Sequence, residues 1–528
     1  MSPADLTTPG DGRLPPTRPR ANWLFLTAAV CMTLLHLACM RPEGSWQGDD
    51  YTAYVRNGSS LLHGQVYRMQ GYTENPNMDA GLGAYPPMYP ALLALPIAIA
   101  GEDLGVLTGA TIVLFGAFLL LFMLYAHPLT GTLGALLSGV VVGLGPFAFY
   151  WKDTINSEFA LLPWLALAFL AERWRAHNGG IGAAAATAAS SAAAVLTRLV
   201  GAALWPALLA ADVLRTRRIS LSSLVIAGAS ITLTVGSLAA VQSDAIAKYM
   251  HVAGVLADPP AGGMGIGERI GIVADNLREA PGKLSMVWSF GGQLNGRRAA
   301  WYGAFETLAN AALLALGLAG VVLCAWRGAT VAELFFVFEL AGLMLFPRAL
   351  ISTRVFLPLS AFLVMYAFVT MQTVADRLNR LRVALPVLCF LGFGAVAAFA
   401  YQGLLTASPT AAMATSPPVA ALLAWIRENT DANAMILTRS PRAVVYYTGR
   451  PASDFHLAPA DAGFAAWAAS LRANYIIVNV EMAEVLALGG GPPGMDRYAA
   501  RFLGGSDADF PMVFTNHFAR VFRIERLR

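Results

Sequence analysis

The stretch "YPPMYPALLALPIAIAG" (85–101) decides how this chain is threaded. It is apolar, yet Pro86, Pro87, Pro90 and Pro96 interrupt it. Its helical part is about 15 residues, which at ~1.5 Å per residue reaches only ~22 Å. A hydrocarbon core is ~30 Å thick. Every loop after it changes side if it crosses, and the basic loops report the outcome. "ERWRAHNGG" (172–180), "RTRRIS" (215–220) and "DRLNRLR" (376–382) are short and positive, as is the N-terminal tail with Arg13, Arg18 and Arg20. Short basic loops favour the cytoplasmic side. All of them fall there only if 85–101 stays at the outer interface, so that is where it is expected.

The whole chain fits a membrane reading. It has 528 residues, 56% of them hydrophobic and 13% charged, where a soluble chain carries about 25% charge. "ANWLFLTAAVCMTLLHLACM" (21–40) lacks a clear small-residue cleavage site and reads as a retained helix. Further apolar runs lie near 105–125, 131–150, 158–172, 181–197, 199–213, 221–241, 303–325, 329–346, 355–371 and 384–404. The expected class is an α-helical polytopic membrane protein with about eleven transmembrane helices. Its expected parts are a cytoplasmic tail (1–20), a transmembrane module (21–404) and an extracytoplasmic α/β domain (405–528). The polar segments 41–104, 150–158, 242–302 and 347–354 then share the outer side with the C-terminal domain.

In that last part "PPVAALLAWIREN" reads as an amphipathic helix, "AMILTR" and "NYIIVNV" as short buried strands, and "FPMVFTNH" with "ARVFRIERL" as a closing hairpin. The net charge of +4 comes with no basic stripe interleaved with aromatics, which excludes nucleic acid as a partner. The four cysteines form no CxxC pair and the seven histidines show no metal-ligand spacing.

The charged residues of the outer segments each carry two readings. Asp49 and Asp50, in "SWQGDDYTAYVRNGSSLLHGQVY" (45–67), are either caps of a short interfacial helix or a base or cation ligand. Neighbours on a helix point about 100° apart, so the two acids take separate roles, and Tyr54 lies one turn from Asp50. Trp46, Tyr51, Tyr54 and Tyr67 are an interfacial belt or a sugar-stacking set. Glu158, beside Lys152 and Asp153, is a helix-start acid or a second acid facing Asp50. Arg198, Arg348 and Arg354 snorkel to headgroups or bind an anion; an arginine between apolar helices, as in "VLTRLV", is costly without a partner.

An acidic pair, a tyrosine four residues after its second acid, Gly64 closing the helix and then "AYPPMYP" leading an apolar helix resembles the first outer loop of GT-C glycosyltransferases. Protein O-mannosyltransferases and the aminoarabinose transferases of lipid A share this arrangement. "NSEFALLPWLALAFLAERW" (156–174), "AAAVLTRLVGAALWPALLAADVLRTRR" (192–218), "STRVFLPLSAFLVMYA" (352–367) and "WIRENTDANAMILTRSPRAVVYYTGR" are similar to later parts of the same family, in the same order. The chain departs from the family in having Asp-Asp where Asp-Glu is frequent, and Tyr85 rather than histidine before the proline pair.

The resemblance implies a hexosyl- or pentosyltransferase of the bacterial cytoplasmic (inner) membrane. It would move a sugar from a polyprenyl-phosphate donor to a glycan, lipid or protein acceptor, with inversion. Asp50 is favoured as the base over Asp49, with Glu158 as a second acid. Arg354, Arg348, Arg198 and Lys152 would hold the donor phosphate, and Tyr54, Tyr85 and Trp46 the sugar. No cofactor is required; a divalent cation (Mg or Mn) on Asp49, Asp50 and Glu158 is left open. A transporter or flippase of lipid-linked saccharides, or a non-catalytic assembly subunit, is the alternative.

Overall fold

The computed structural model describes residues 19–41, 50–73, 84–241, 266–289, 300–345, 353–378, 381–406, 414–454, 463–479 and 509–525. Trp46, Asp49, Arg348 and parts of the loop 242–302 lie outside these residues. Helices dominate. The segment between α1 (Pro19–Ala38) and α3 (Met88–Ala100), expected to be the first outer one, holds α2 (Asp50–Leu62) and the two-residue strand β1 (Tyr72–Thr73). With 13 residues, α3 is about 20 Å long.

The apolar runs near 105–125 and 131–150 correspond to two helices that meet at Gly131 without an intervening loop, together labelled α4 (Leu104–Gly143). Gly131 has φ 70° and ψ 176°, a conformation open to glycine and strained for other residues. Pro128 sits three residues before the bend. Next come α5 (Pro146–Trp151), α6 (Ser157–Asn178), α7 (Ile181–Thr197), α8 (Leu204–Thr216) and α9 (Leu221–Ala240). The second half of the membrane part contains α10 (Ile266–Leu284), α11 (Met286–Ser289), α12 (Ala300–Gly328), α13 (Val331–Leu345), α14 (Leu357–Arg377) and α15 (Ala384–Thr406).

Among the described residues six stretches are long and apolar enough to cross a membrane: Ala21–Ala38, Leu104–Gly143, Leu199–Thr216, Leu221–Ala240, Glu306–Gly328 and Arg354–Arg377. Met88–Ala100, Ile181–Thr197 and Ala384–Ala398 are apolar but shorter. The last span is the axis of the bundle, since 89% of its window is buried. Around it α4, α12 and α15 pack, and the Phe362 ring meets Phe118, Phe122, Tyr125 and Phe169. Gly320 lets α12 approach α14: a Cβ there would lie 2.0 Å from the Tyr366 carbonyl oxygen.

After α15 the chain folds as α16 (Pro417–Asn429), β2 (Met435–Thr438), α17 (Pro441–Thr448), β3 (Ala452–Asp454), α18 (Gly463–Ser470), β4 (Ala473–Asn479), β5 (Met512–Thr515) and β6 (Ala519–Arg523). The sheet order is β1-β3-β2-β4-β6-β5. β1 to β4 run parallel, while β6 and β5 are antiparallel. One edge strand is therefore supplied by the first outer segment, with Tyr72 opposite Ala452. β2, α17 and β3 form a right-sized βαβ turn, and α17 runs from Pro441 in its first turn to Gly449, left-handed at φ 72°.

Helix contact through Gly320 makes a stability prediction. Gly320→Val forces α12 off α14 and costs about 1–3 kcal/mol, as overpacking does. Gly394→Ala, with nothing within 4 Å of its new Cβ in a helix interior, does not lower stability and raises it by up to about 1 kcal/mol. Thermal melting in detergent separates the two, and an unshifted Gly320→Val would refute the close approach.

Candidate functional site

α2 is short and polar, yet Tyr51, Thr52, Ala53, Tyr54 and Val55 are all buried, because it has neighbours on more than one side. Gly58 seats it on α3: a Cβ at Gly58 would stand 2.9 Å from the Pro90 carbonyl oxygen. On another side α17 packs, and the hydroxyls of Tyr51 and Tyr447 meet at 2.6 Å. The N-terminal residue of α2 is Asp50, and both of its oxygens are taken. Oδ1 accepts from Tyr85 Oη at 2.8 Å and pairs with Arg442 Nη2 at 2.8 Å. Oδ2 pairs with Arg354 Nη2 at 3.0 Å. Arg442 Nη1 also donates to the Tyr85 hydroxyl.

Arg354 leads from Asp50 to Glu158. It lies in a 3-10 turn, Thr353–Phe356, that starts α14, and its Nε is 3.7 Å from Glu158 Oε1. The Trp151 ring lies 5.1 Å from its guanidinium carbon. Arg198, at the end of α7, donates to Glu158 Oε1 at 2.8 Å and to Ser157 Oγ at 2.8 Å. Ser157 in turn bonds the Tyr54 hydroxyl at 2.9 Å. Glu158 Oε2 is buried without a hydrogen-bond partner among the described residues.

Burial opposes the charged form of Asp50, but Arg442, Arg354 and the Tyr85 hydroxyl outweigh it and hold the carboxyl far below the ordinary carboxylate range. Burial pushes the Tyr85 hydroxyl well above its usual value despite Arg442. Tyr54 is likewise raised, by burial first and then by Asp50. The two phenols are therefore neutral donors, not bases.

The structure brings together Asp50, Glu158, Arg198, Arg354, Tyr54 and Tyr85 of the residues read from the sequence. It sets Lys152 apart, with both oxygens of Asp153 accepting from its Nζ at 2.8 and 2.7 Å. Asp49, Arg348 and Trp46 are outside the described residues. Arg442 is the residue that sequence reasoning missed. It sits in the first turn of α17, beyond the carboxyl end of β2, the end of a parallel sheet at which ligands collect.

Arg354 stands between Asp50 and Glu158, and Asp49, the third acid of the expected cation set, lies outside the described residues. No group of three His, Cys, Asp or Glu side chains with metal-binding geometry exists among the described residues. A cavity of about 310 Å³ lies elsewhere, lined by Tyr125, Glu172, Arg173, Arg215 and Thr330. Glu172 and Glu158 are 14 positions apart on α6, hence about 21 Å. The cavity is remote from Asp50, and its acid is spent on Arg175 and Arg215.

No protein-family model matches the sequence, and no curated protein matches it. Solved structures do. The Archaeoglobus fulgidus oligosaccharyltransferase, tethered to an acceptor peptide with an NVT sequon, aligns with 94% of this chain and 74% of its own. The TM-score is 0.55 and the identity 14%. ArnT from Cupriavidus metallidurans, bound to undecaprenyl phosphate, aligns over 95% and 97% with a TM-score of 0.51 and 12% identity. Arabinofuranosyltransferase AftD from mycobacteria matches 95% of this chain and 41% of its own, at 0.51 and 12%. All three are GT-C glycosyltransferases. The chain has their fold, and it is a multi-pass membrane protein.

The depressed Asp50 fixes a pH prediction. A folded-state pKa below the unfolded value of about 3.9 contributes stability above that pH, and the contribution is lost as pH falls through the folded value. Asp50→Asn, which removes the carboxylate that Arg354 and Arg442 share, melts below wild type at pH 7. The gap narrows below about pH 4. Equal melting temperatures at pH 7, or a gap that ignores pH, would show that the ion pairs do not hold this end together.

Proposed function

We propose that the chain is a glycosyltransferase that takes a sugar from a polyprenyl-phosphate donor and transfers it, with inversion, to an acceptor at the outer face of the cytoplasmic membrane. The observation that carries this reading is Arg354, standing between Asp50 and Glu158 at the start of the bundle's central helix. One guanidinium beside two carboxylates offers what such a transfer needs. Its fork binds a phosphate by two parallel hydrogen bonds, and an adjacent carboxylate accepts a hydroxyl proton.

Three supports stand beside it. Outer placement follows from the basic loops at 172–180 and 215–220. The fold is shared with glycosyltransferases, one of them solved with undecaprenyl phosphate. Eleven spans, with residues 405–528 as an extracytoplasmic unit, remain our reading of the threading, because shorter apolar helices complete the bundle beside the six long ones.

In this mechanism the acceptor hydroxyl attacks the anomeric carbon from the face opposite the phosphate. The new glycosidic bond forms as the sugar–phosphate bond breaks, and the bonding pair leaves with polyprenyl phosphate. Negative charge grows on that leaving group, and Arg354 and Arg198 are already in place to stabilise it. The proton passes to Asp50, whose Oδ2 accepts from Arg354, with the open Oε2 of Glu158 as the second acceptor. A leaving phosphate needs no protonation by a second acid, unlike the leaving group in glycoside hydrolysis. The steps use no metal ion, with Arg354 standing between the acids. Tyr54 and Tyr85 shape the sugar side of the site, their rings 4.5 Å apart.

Purified protein in lipid, given a panel of polyprenyl-phosphate sugars and crude envelope acceptors, tests the reading through release of free polyprenyl phosphate. Wild type releases it with at least one donor, equally with and without chelator. Asp50→Asn, assayed below its melting temperature, loses about 10²- to 10⁴-fold, the worth of a general base. Arg354→Ala weakens donor handling. Retained turnover in Asp50→Asn together with loss in Glu158→Gln moves the base to Glu158. Silence across the panel by folded wild type rejects the transferase.

A further inference from the structure

We propose that the cavity at the far end of α6 binds the phosphodiester headgroup of an anionic phospholipid, held by Arg173 and Arg215. This is a second site, remote from Asp50, and it does not depend on the transfer reaction.

The cavity, about 310 Å³, lies between the ends of α6 and α8, Tyr125 of α4 and the turn 328–332 that joins α12 to α13. Tyr125 and Phe169 are buried and give it an apolar floor, while Arg173, His177 and Arg215 bring nitrogen donors to its wall. Its size is at the lower end of small-ligand sites, about 300–1,000 Å³.

Arg173 points to an anion. A guanidinium has five N–H donors, and among the described residues only Nη1 of Arg173 has a hydrogen-bond acceptor, the Tyr125 carbonyl oxygen at 2.9 Å. Its guanidinium carbon stands 4.4 Å from the centre of the Tyr125 ring, which places it on the cavity floor. The acids of this end are engaged elsewhere. Glu172 takes both oxygens to Arg175, Glu333 accepts from Thr330 and Tyr366, and Asp212 accepts from the Ser220 amide. The helix end does not account for Arg173 either. A cation complements the helix dipole within the last turn, and in α6 that place belongs to Arg175 and His177. An arginine among apolar helices with one carbonyl for company is costly, and a phosphate satisfies its fork with two parallel hydrogen bonds. Arg215 adds a second cation from α8: its contact to Glu172 is long, 3.6 Å, and its side chain is 38% exposed.

The mouth favours a lipid over a soluble phosphate compound. Leu214 in the wall and Val213 beside it are exposed, so an apolar surface of α8 runs up to the opening, where a membrane puts acyl chains. Trp174 and Trp326 are exposed at the same end, and such rings settle at headgroup level. The bordering stretches 172–180 and 215–220 are short and basic. A headgroup seated here joins α6 to α8 through one phosphate.

Photocrosslinking locates the site on the wild-type protein, in phosphatidylcholine nanodiscs doped with phosphatidylglycerol that carries a photoreactive group at the top of one acyl chain. Label concentrates in peptides containing 169–177, 213–216 or 328–332; label spread evenly over the lipid-facing helices overturns the site. Affinity is read by native mass spectrometry and by melting in mild detergent. Phosphatidylglycerol stays bound and raises the melting temperature, and phosphatidylcholine does neither. Arg173→Gln weakens phosphatidylglycerol binding by about tenfold or more, the worth of a charged hydrogen bond, and Arg173→Lys recovers part of it. Arg218→Gln, exposed just beyond α8 and outside the cavity lining, leaves binding unchanged. An equal loss in Arg218→Gln reduces the effect to attraction by a basic surface and overturns the proposal. Inorganic phosphate at the same concentration gives no rise in melting temperature; protection equal to that of the lipid overturns the lipid and assigns the cavity to a soluble phosphate compound. If the Arg173 variants do not fold, the wild-type crosslink decides.

Discussion

One carboxylate at the start of a short helix sets the terms for this end of the molecule. Asp50 is largely withdrawn from water, with 18% of its side chain exposed, and a charge so placed is tolerable only when paired and hydrogen-bonded. Its partners come from three places remote in sequence: Tyr85 before α3, Arg354 before α14 and Arg442 in α17. Satisfying one acid therefore requires the first outer segment, the central membrane helix and the sheet to arrive together. The same requirement explains why α2 is buried although its composition is that of a surface helix. It also explains the short strand β1, which lends two residues to a sheet built almost wholly from the last quarter of the chain.

Legibility in the sequence follows the range of the interaction. Apolar runs report helices because a membrane span is local and long, and α6, α7 and α9 lie close to where those runs place them. The two helices of α4 were visible as two runs, but not their direct junction, since Gly131 alone makes it. Asp50, Glu158, Arg198 and Arg354 stood out because charges beside apolar helices are expensive. Arg442 did not stand out. In "TRSPRAVVYYTGR" it has the look of any arginine in the first turn of a surface helix, and its partner lies in another unit. The available signal was weak: a proline-led helix after a buried strand, in a chain whose outer face already carried unpaired acids. Lys152 lies apart from these residues and pairs with its neighbour Asp153.

α6 shows how the bundle keeps its two ends chemically distinct. It begins with Glu158, held by Arg198 and approached by Arg354, and ends with Glu172, held by Arg175 and Arg215. Both ends pair acid with arginine, yet they differ in what the pairs are joined to. At the Glu172 end the arginines belong to the basic stretches 172–180 and 215–220, and the pairs close a helix junction. At the Glu158 end one arginine is shared between two acids on different helices, so no single pairing is final. Shared partners are what a substrate can redistribute.

That contrast bears on why a fold can persist at 12–14% identity to its solved neighbours. Membrane helices keep their packing through small residues and apolar volume, which many sequences supply. A site of shared ion pairs is more demanding, because each charge must face a partner and remain exchangeable. Fold similarity alone does not convey activity. What argues for chemistry here is the surplus of constraint: a carboxylate with three ligands, drawn from three segments, where one cap would have closed the helix. Stability asks for fewer. The excess ties the first segment, the start of the central helix and the sheet unit to a single acid.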